Sequence, residues 1–251
     1  MSRNLQAVIE AFTAGLFAIS TVLTSLRTVT AWADLYTNPL SFDRPITGRM
    51  ALRGEGGGIN LLGIMPQPTN IILWGLLIAA VLAALLHVVG RLQERFGPPL
   101  PTAINLGLAC ATAAPWLINQ VPVAGIALAA LGCALVAHGI DTHPAPKRGL
   151  GLFPVAFLAG WLLMTTCSEL SLLIYYMGVG LERSILLGLL AAALSAVWLQ
   201  LKIDRFPTFS LAVIWGMIGL AGETVGYSIT IATACVLGIS ALAVVLVRVT
   251  T

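Results

Sequence analysis

Long apolar runs, separated by short segments that hold charges, Pro or Gly, make up most of the chain. A helix needs about 20 apolar residues, each rising about 1.5 Å, to cross the hydrocarbon core of a bilayer. Eight runs approach this length: residues 5–26, 70–90, 102–120, 121–140, 152–176, 184–201, 207–222 and 227–247. The pattern predicts an all-α, polytopic transmembrane helix bundle of about eight spans. Seven spans are possible, because the run at 207–222 is short.

Composition supports the membrane assignment and narrows the class of function. Hydrophobic residues make up 58% of the chain and charged residues only 9%, whereas a soluble domain is about 25% charged. The net charge of +3 arises from basic residues spread over the connections, so no basic patch predicts nucleic-acid binding. We expect the lipid bilayer as a partner, together with other membrane subunits or further copies of this chain as a homo-oligomer.

The distribution of basic residues predicts the orientation in the membrane. With eight spans and a cytoplasmic N-terminus, the only basic residue of the short external loops is Arg183. The cytoplasmic segments then hold Arg3, Arg91, Arg95, Lys147, Arg148, Lys202, Arg205 and Arg248. We therefore expect both termini in the cytoplasm. The predicted parts are an uncleaved N-terminal anchor (1–26), an external loop (27–66), a helical core (67–206) and a C-terminal transmembrane hairpin (207–251).

A charged side chain inside a span costs a few kcal/mol, so each one is a candidate for function. Glu10 lies near the cytoplasmic end of the first span. Its carboxylate can reach the interface by snorkelling, or it can pair with Arg3 or with the loop that holds Arg91 and Arg95. We therefore interpret Glu10 mainly as a structural residue.

Glu169 is the stronger candidate, because it falls well inside the fifth run within the segment 165–169, Thr-Thr-Cys-Ser-Glu. Glu223 is expected at the external end of the seventh run, so the two acids could line one outward-facing cavity. Alternatively, Glu169 is neutral and satisfied by hydrogen bonds between helices, and Glu223 is simply interfacial.

Histidine and tryptophan residues supply further candidates for ligand binding. His87 and His138 are expected at similar depth near the cytoplasmic face. Two histidines in this arrangement could hold a haem or a chlorin. Tryptophan usually marks the interfacial belt, but it can also stack on a flat ring system. The residues that could wall an apolar pocket lie one to a span: Trp74, Trp116, Trp161 and Trp215, with Trp198 on a further span.

The remaining chemistry-bearing residues predict neither an enzyme nor a metal protein. The sequence contains no Ser/His/Asp set, HExxH motif or cofactor fingerprint, so we predict a non-enzymatic protein. Four cysteines lie singly within apolar runs and are interpreted as small buried hydrophobes: Cys110, Cys133, Cys167 and Cys235. The Gly-rich stretch at 53–58 lacks the Lys-Ser/Thr ending of a phosphate-binding loop, so we interpret it as part of a lid or docking loop.

Residues 66–78, PQPTNIILWGLLI, resemble the Pro-rich entry and Trp-Gly core of the TspO/translocator protein family, the tryptophan-rich sensory proteins. Residues 46–48 are similar to the loop before that helix in the longer bacterial members. Pro154, Gly160-Trp161 and the run 212–216 fall where those members carry Pro, Gly-Trp and a late Trp. The resemblance covers about residues 47–220, and extra spans flank the family's five-helix core.

The resemblance implies a helical bundle that binds porphyrins or sterol-like hydrophobic ligands. We accordingly expect a protein of a bacterial inner membrane that binds a tetrapyrrole, a carotenoid or another apolar ligand. It implies that Trp74, Trp161 and Trp116 line the pocket, with Glu169 and Trp215 as further candidates from the residues themselves. Two other functions are compatible with the sequence. One is an accessory subunit of a photosynthetic or other energy-transducing complex; the other is a small proton-coupled transporter that uses Glu169.

Overall fold

The structure is a computed structural model that describes residues 3–37, 70–93, 100–118, 121–143, 150–203, 206–226 and 228–250. Within these ranges the chain forms eight α-helices and no strand. They are α1 (Arg3–Thr37), α2 (Ile71–Leu92), α3 (Thr102–Ile118), α4 (Pro122–Thr142), α5 (Phe153–Tyr176), α6 (Leu181–Ile203), α7 (Pro207–Thr224) and α8 (Ile229–Thr250). The prediction of a polytopic helical membrane bundle is confirmed.

Helix lengths separate the eight helices into two groups. Six of them, α1, α2, α4, α5, α6 and α8, are long and apolar enough to cross a membrane. The other two, α3 and α7, have 17 and 18 residues, which corresponds to about 26 and 27 Å at the usual helical rise. The short seventh run of the sequence is therefore also a short helix in the structure.

Local sequence signals explain where most helices begin. Asn70 caps α2, since its side-chain oxygen accepts a hydrogen bond from the Leu73 N–H at 2.9 Å. Pro122, Pro154 and Pro207 each occupy one of the first two positions of a helix, where the missing N–H of proline costs nothing. These prolines divide neighbouring apolar runs into separate helices.

The first helix is longer than the predicted anchor. The sequence placed its end at residue 26, whereas α1 continues to Thr37. Residues 27–37 contain neither Pro nor Gly, and the next proline is Pro39, which disfavours helical geometry at the residue before it. The predicted external loop thus begins about three helical turns late, and the rest of that loop lies outside the described residues.

Helix α5 is the centre of the bundle. It packs against α2, α4, α6 and α7, and the other seven helices follow one another around it in the order α1, α3, α4, α6, α8, α7, α2. Buried residues make up 61% of its most apolar stretch, a larger share than in any other helix long enough to cross the membrane. The N-terminal anchor and the C-terminal hairpin of the predicted organisation are therefore integral members of this ring.

Neighbouring helices along the chain run in opposite directions. Odd-numbered helices begin, and even-numbered helices end, at one end of the bundle, which we call the N-terminal end. Close packing of small residues fixes the α3–α4 pair: a Cβ atom at Gly107 would lie 2.7 Å from the Gly132 carbonyl oxygen. Gly125, also on α4, lies against Ile118 in the same way.

Candidate functional site

Two matching rows of side chains, all buried except the half-buried Thr165, lie on the parallel helices α1 and α5. On α5, Trp161 is followed at intervals of four residues by Thr165 and Glu169; on α1, Phe17 is followed by Thr21 and Ser25. Residues four apart are neighbours on one helical face. Each row therefore presents an aromatic ring, then a hydroxyl group, then a second polar group. We call these six residues the paired rows.

An aromatic contact sets the register of the paired rows. The rings of Phe17 and Trp161 meet edge to face, with centroids 5.8 Å apart and an interplanar angle of 81°. Both helices run away from the N-terminal end, so Ser25 and Glu169 lie at the same depth, about 12 Å beyond this ring pair. Glu169 is only 3% exposed and Ser25 equally so at 3%. A carboxyl group and a hydroxyl group are thus enclosed at one level of the bundle.

The aromatic start of the α5 row carries a polar group that lacks a partner. Trp161 is 6% exposed, and its indole N–H has no hydrogen-bond acceptor within the described part of the chain. Thr166, beside the α5 row, also has a buried hydroxyl oxygen without a partner there. Because an unpaired buried polar group costs about 1–3 kcal/mol, these groups mark a place where a bound molecule could supply a hydrogen bond.

Helix α3 adds further polar groups on the side of α1. Trp116 donates its indole N–H to the Ser20 hydroxyl at 2.8 Å, and Ser20 donates in turn to the Thr112 carbonyl at 2.9 Å. Trp116 is therefore fixed by a hydrogen bond that joins α1 to α3. Of the tryptophans predicted to line a pocket, Trp161 lies in the paired rows and Trp116 lies on the next helix of the ring.

Trp74 and Trp215 belong to another region, the contact between α2 and α7. Trp215 donates to the Ile72 carbonyl at 2.9 Å and its ring lies over Gly75. Trp74 is half-buried against the hydrophobic core. Glu223 accepts a hydrogen bond of 3.0 Å from the Asn70 amide. These contacts fasten α2 to α7 at the end opposite the N-terminal end.

The two histidines proposed as ligands occupy different surroundings. His87 is fully buried and lies against the backbone of Gly151. His138 is exposed on the outer side of α4. In the described part of the chain no group of three or more His, Cys, Asp or Glu side chains could hold a metal ion. Cys133, Cys167 and Cys235 are buried free thiols, as predicted, and Cys110 is half-buried.

The N-terminal end contains a buried ion pair between Glu10 and Arg91. From the sequence, such a pairing is one of two interpretations of Glu10. The Glu10 carboxylate lies 2.8 Å from Arg91 Nε, with exposures of 0% and 4%. Its other oxygen accepts the Leu100 N–H at 2.8 Å, and Gln6 donates to the Leu100 carbonyl at 3.3 Å. Arg91, assigned from the sequence to a connection, is a buried residue of α2.

A titratable group beside this cluster is His143, at the end of α4. Its partial burial, and secondly the positive charge of Arg91, lower the pKa of the His143 imidazole below its usual value. His143 therefore lies close enough to the cluster for the Arg91 charge to act on it.

One further buried polar contact was missed entirely. Gln200 on α6 is fully buried and accepts a hydrogen bond of 2.7 Å from the Ser210 hydroxyl on α7. Its amide nitrogen has no acceptor among the described residues. The signal available in the sequence was a single Gln near the end of an apolar run, which resembles an interfacial residue.

Comparison with known proteins adds no relative. No protein-family description, no curated protein and no solved structure matches this chain. The class that the fold defines is a polytopic helical membrane protein, with a central helix that carries a buried carboxyl group.

Proposed function

We propose that this protein binds an amphipathic apolar ligand within the membrane, at the paired rows of α1 and α5. The observation that carries the proposal is the indole N–H of buried Trp161, which has no acceptor within the described ranges and lies two intervals of four residues before the buried carboxyl group of Glu169. A ligand there would place an apolar body against Trp161 and Phe17 and a polar group near Glu169. Such a pairing of an apolar wall with a few polar groups is typical of ligand sites.

The ligand class follows from the chemistry of the rows and from the resemblance to the TspO family. Tetrapyrroles and carotenoids offer extended conjugated bodies that stack on indole rings. We propose recognition of the ring body and of its polar substituents. We further propose a bacterial inner membrane as the location, with the N-terminal end of the bundle in the cytoplasm.

Fluorescence titration of the full-length chain in mild detergent tests the proposal. Protoporphyrin IX is the probe, and quenching of tryptophan emission is the readout. We expect saturable quenching in the wild type, and an affinity lower by about tenfold in Trp161→Phe and in Glu169→Gln, which corresponds to about 1.4 kcal/mol. The matched control is Trp198→Phe, because Trp198 is 58% exposed on α6. Equal affinity in a Trp161→Phe/Glu169→Gln double variant would contradict the proposal.

A second candidate function, proton-coupled transport, is favoured by the position of Glu169 on the most buried helix. Intramembrane carboxyl groups that face a bundle interior commonly carry protons in transporters. Uptake of a substrate into liposomes, driven by a proton gradient and lost in Glu169→Gln, would support this function. Uptake that persists in Glu169→Gln would exclude Glu169 as the coupling group.

A further inference from the structure

Leu100, two residues before α3, is bound at the N-terminal end by two residues of α1 that lie one helical turn apart. Gln6 donates to the carbonyl of Leu100, and Glu10 accepts from the N–H of the same residue. Arg91, the last charged residue of α2, binds the other oxygen of the Glu10 carboxylate. Helices α1 and α2 and Leu100, two residues before α3, therefore meet at one carboxylate.

Stability alone does not account for a charged contact at this place. Enclosing two charges has a large desolvation cost, and well-packed apolar residues of similar size are often as stabilising or more so. A carboxylate paired with a guanidinium has one property that apolar residues lack. If the charge on Glu10 is lost, the attachment of Arg91 and the strong acceptor for Leu100 are weakened together.

Two histidines near the Glu10–Arg91 pair extend these contacts to the end of α4 and to the turn before α5. His87, one turn before Arg91 on α2, lies against the backbone of Gly151, in the short helical turn before α5. His143, at the end of α4, is close enough to Arg91 for the guanidinium to affect its titration. Leu100, His143 and Gly151, which come from three different parts of the chain, thus lie around the Glu10–Arg91 pair and His87.

We propose that Gln6, Glu10, Arg91 and the Leu100 backbone form a charge-dependent latch that closes the N-terminal end of the bundle. In the latched state α3 is tied to α1 at its beginning. Release of the latch separates Leu100 from α1 and admits water to the buried side chains that follow, beginning with Ile104. This inference is independent of the ligand proposed for the paired rows, which begin seven residues beyond Glu10 on α1.

Hydrogen–deuterium exchange on the full-length chain in detergent tests the latch. The test variant is Glu10→Met/Arg91→Met, which removes both charges and leaves neither one buried alone. We expect exchange in peptides covering Leu100 to Ile104 to be faster by about tenfold, with exchange in the middle of α5 unchanged, because local opening leaves the rest of the fold intact. Glu10→Gln, which keeps an oxygen for the Leu100 N–H but leaves the Arg91 charge buried without its anion, should give an increase at least as large.

The matched control is an exposed ion pair at the same end, Lys202 and Asp141, whose charged atoms lie 3.6 Å apart. Lys202→Met/Asp141→Asn should leave exchange near Leu100 unchanged. Unchanged exchange near Leu100 in the folded Glu10→Met/Arg91→Met variant would overturn the latch. A uniform increase over all helices would also overturn it, since the pair would then stabilise the whole fold without closing one end.

Discussion

Glu10 and Glu169 are both buried carboxyl groups on parallel helices, yet the two regions around them are built differently. Glu10 meets a guanidinium and a backbone N–H, and its two oxygens are held by two separate elements. Glu169 follows Trp161 and Thr165 on its helix, and Ser25 lies the same number of residues beyond the Phe17–Trp161 ring contact on α1. Burial by itself therefore does not identify a carboxyl group that serves a function other than stability. The Glu10 carboxylate joins helices through its counter-ion, and we propose that the Glu169 carboxyl group, in a row of hydroxyl and aromatic groups, receives a ligand.

The largest expected effect is the difference in stability between a variant that loses one charge and a variant that loses both charges at the N-terminal end. Arg91→Met leaves the Glu10 carboxylate buried without its cation, so we expect a loss of about 3–5 kcal/mol in the free energy of unfolding. Glu10→Met/Arg91→Met should recover most of that loss. Denaturation of the detergent-solubilised protein, followed by circular dichroism, measures both. Equal losses in the single and the double variant would mean that the charge pairing itself contributes nothing.

The next prediction compares the loss of stability that the same substitution, Glu to Gln, causes at position 10 and at position 169. Glu10→Gln leaves the Arg91 charge buried without its anion, whereas Glu169→Gln keeps a hydrogen-bonding group of the same size among hydroxyl-bearing neighbours. We expect Glu10→Gln to be more destabilising than Glu169→Gln by about 2 kcal/mol or more. Thermal unfolding of the two variants side by side is the measurement. Similar losses would remove the distinction between a structural and a ligand-binding acid.

A smaller effect tests whether Trp161 differs from Trp116. Trp116→Phe removes the hydrogen bond to Ser20, and we expect a loss of about 0.5–1.5 kcal/mol from the bond itself. Trp161→Phe removes an indole N–H that has no acceptor among the described residues, so no hydrogen bond is lost and the change in stability should be smaller. Unfolding measurements on both variants, without ligand, compare them. A larger loss for Trp161→Phe would show that its ring serves packing first.

The smallest effect is a pH dependence beside the ion pair. The pKa of His143 is lowered in the folded protein, first by burial and then by Arg91. In the unfolded chain this imidazole binds a proton at higher pH than in the folded chain, so stability should fall as the pH is lowered from 6.5, the ordinary value. His143→Gln should flatten this slope between pH 7 and about 5. A slope unchanged by the substitution would assign the pH dependence to other groups.

Much of the fold was predictable because the bilayer imposes a simple length rule on apolar runs. The eight runs correspond to the eight helices, and Asn70, Pro122 and Pro207 mark helix starts as expected. The end of α1 was misplaced because residues 27–37 are polar enough to resemble a loop yet contain no helix breaker. Hydropathy along the chain predicts which residues lie within the membrane. It does not detect a helix that continues beyond the membrane.

The candidate site was predictable only in part. Glu169 and Trp161 were singled out from the sequence, because polarity and tryptophan stand out within apolar runs. Their partners on α1 were not, since Phe17 and Ser25 are ordinary residues of a membrane helix until the register with α5 is known. The burial of Arg91 was likewise invisible, because a basic residue at the end of an apolar run normally indicates an interface.

The most direct test of the paired rows is native mass spectrometry of the full-length protein, purified in mild detergent from the membranes in which it naturally occurs. The account predicts a bound small molecule at one copy per chain in the wild type and in Trp198→Phe, and its absence in Glu169→Gln. A tetrapyrrole or carotenoid would also show its absorption band in the same samples. The same adduct retained in Glu169→Gln, or no adduct in any sample, would contradict the account.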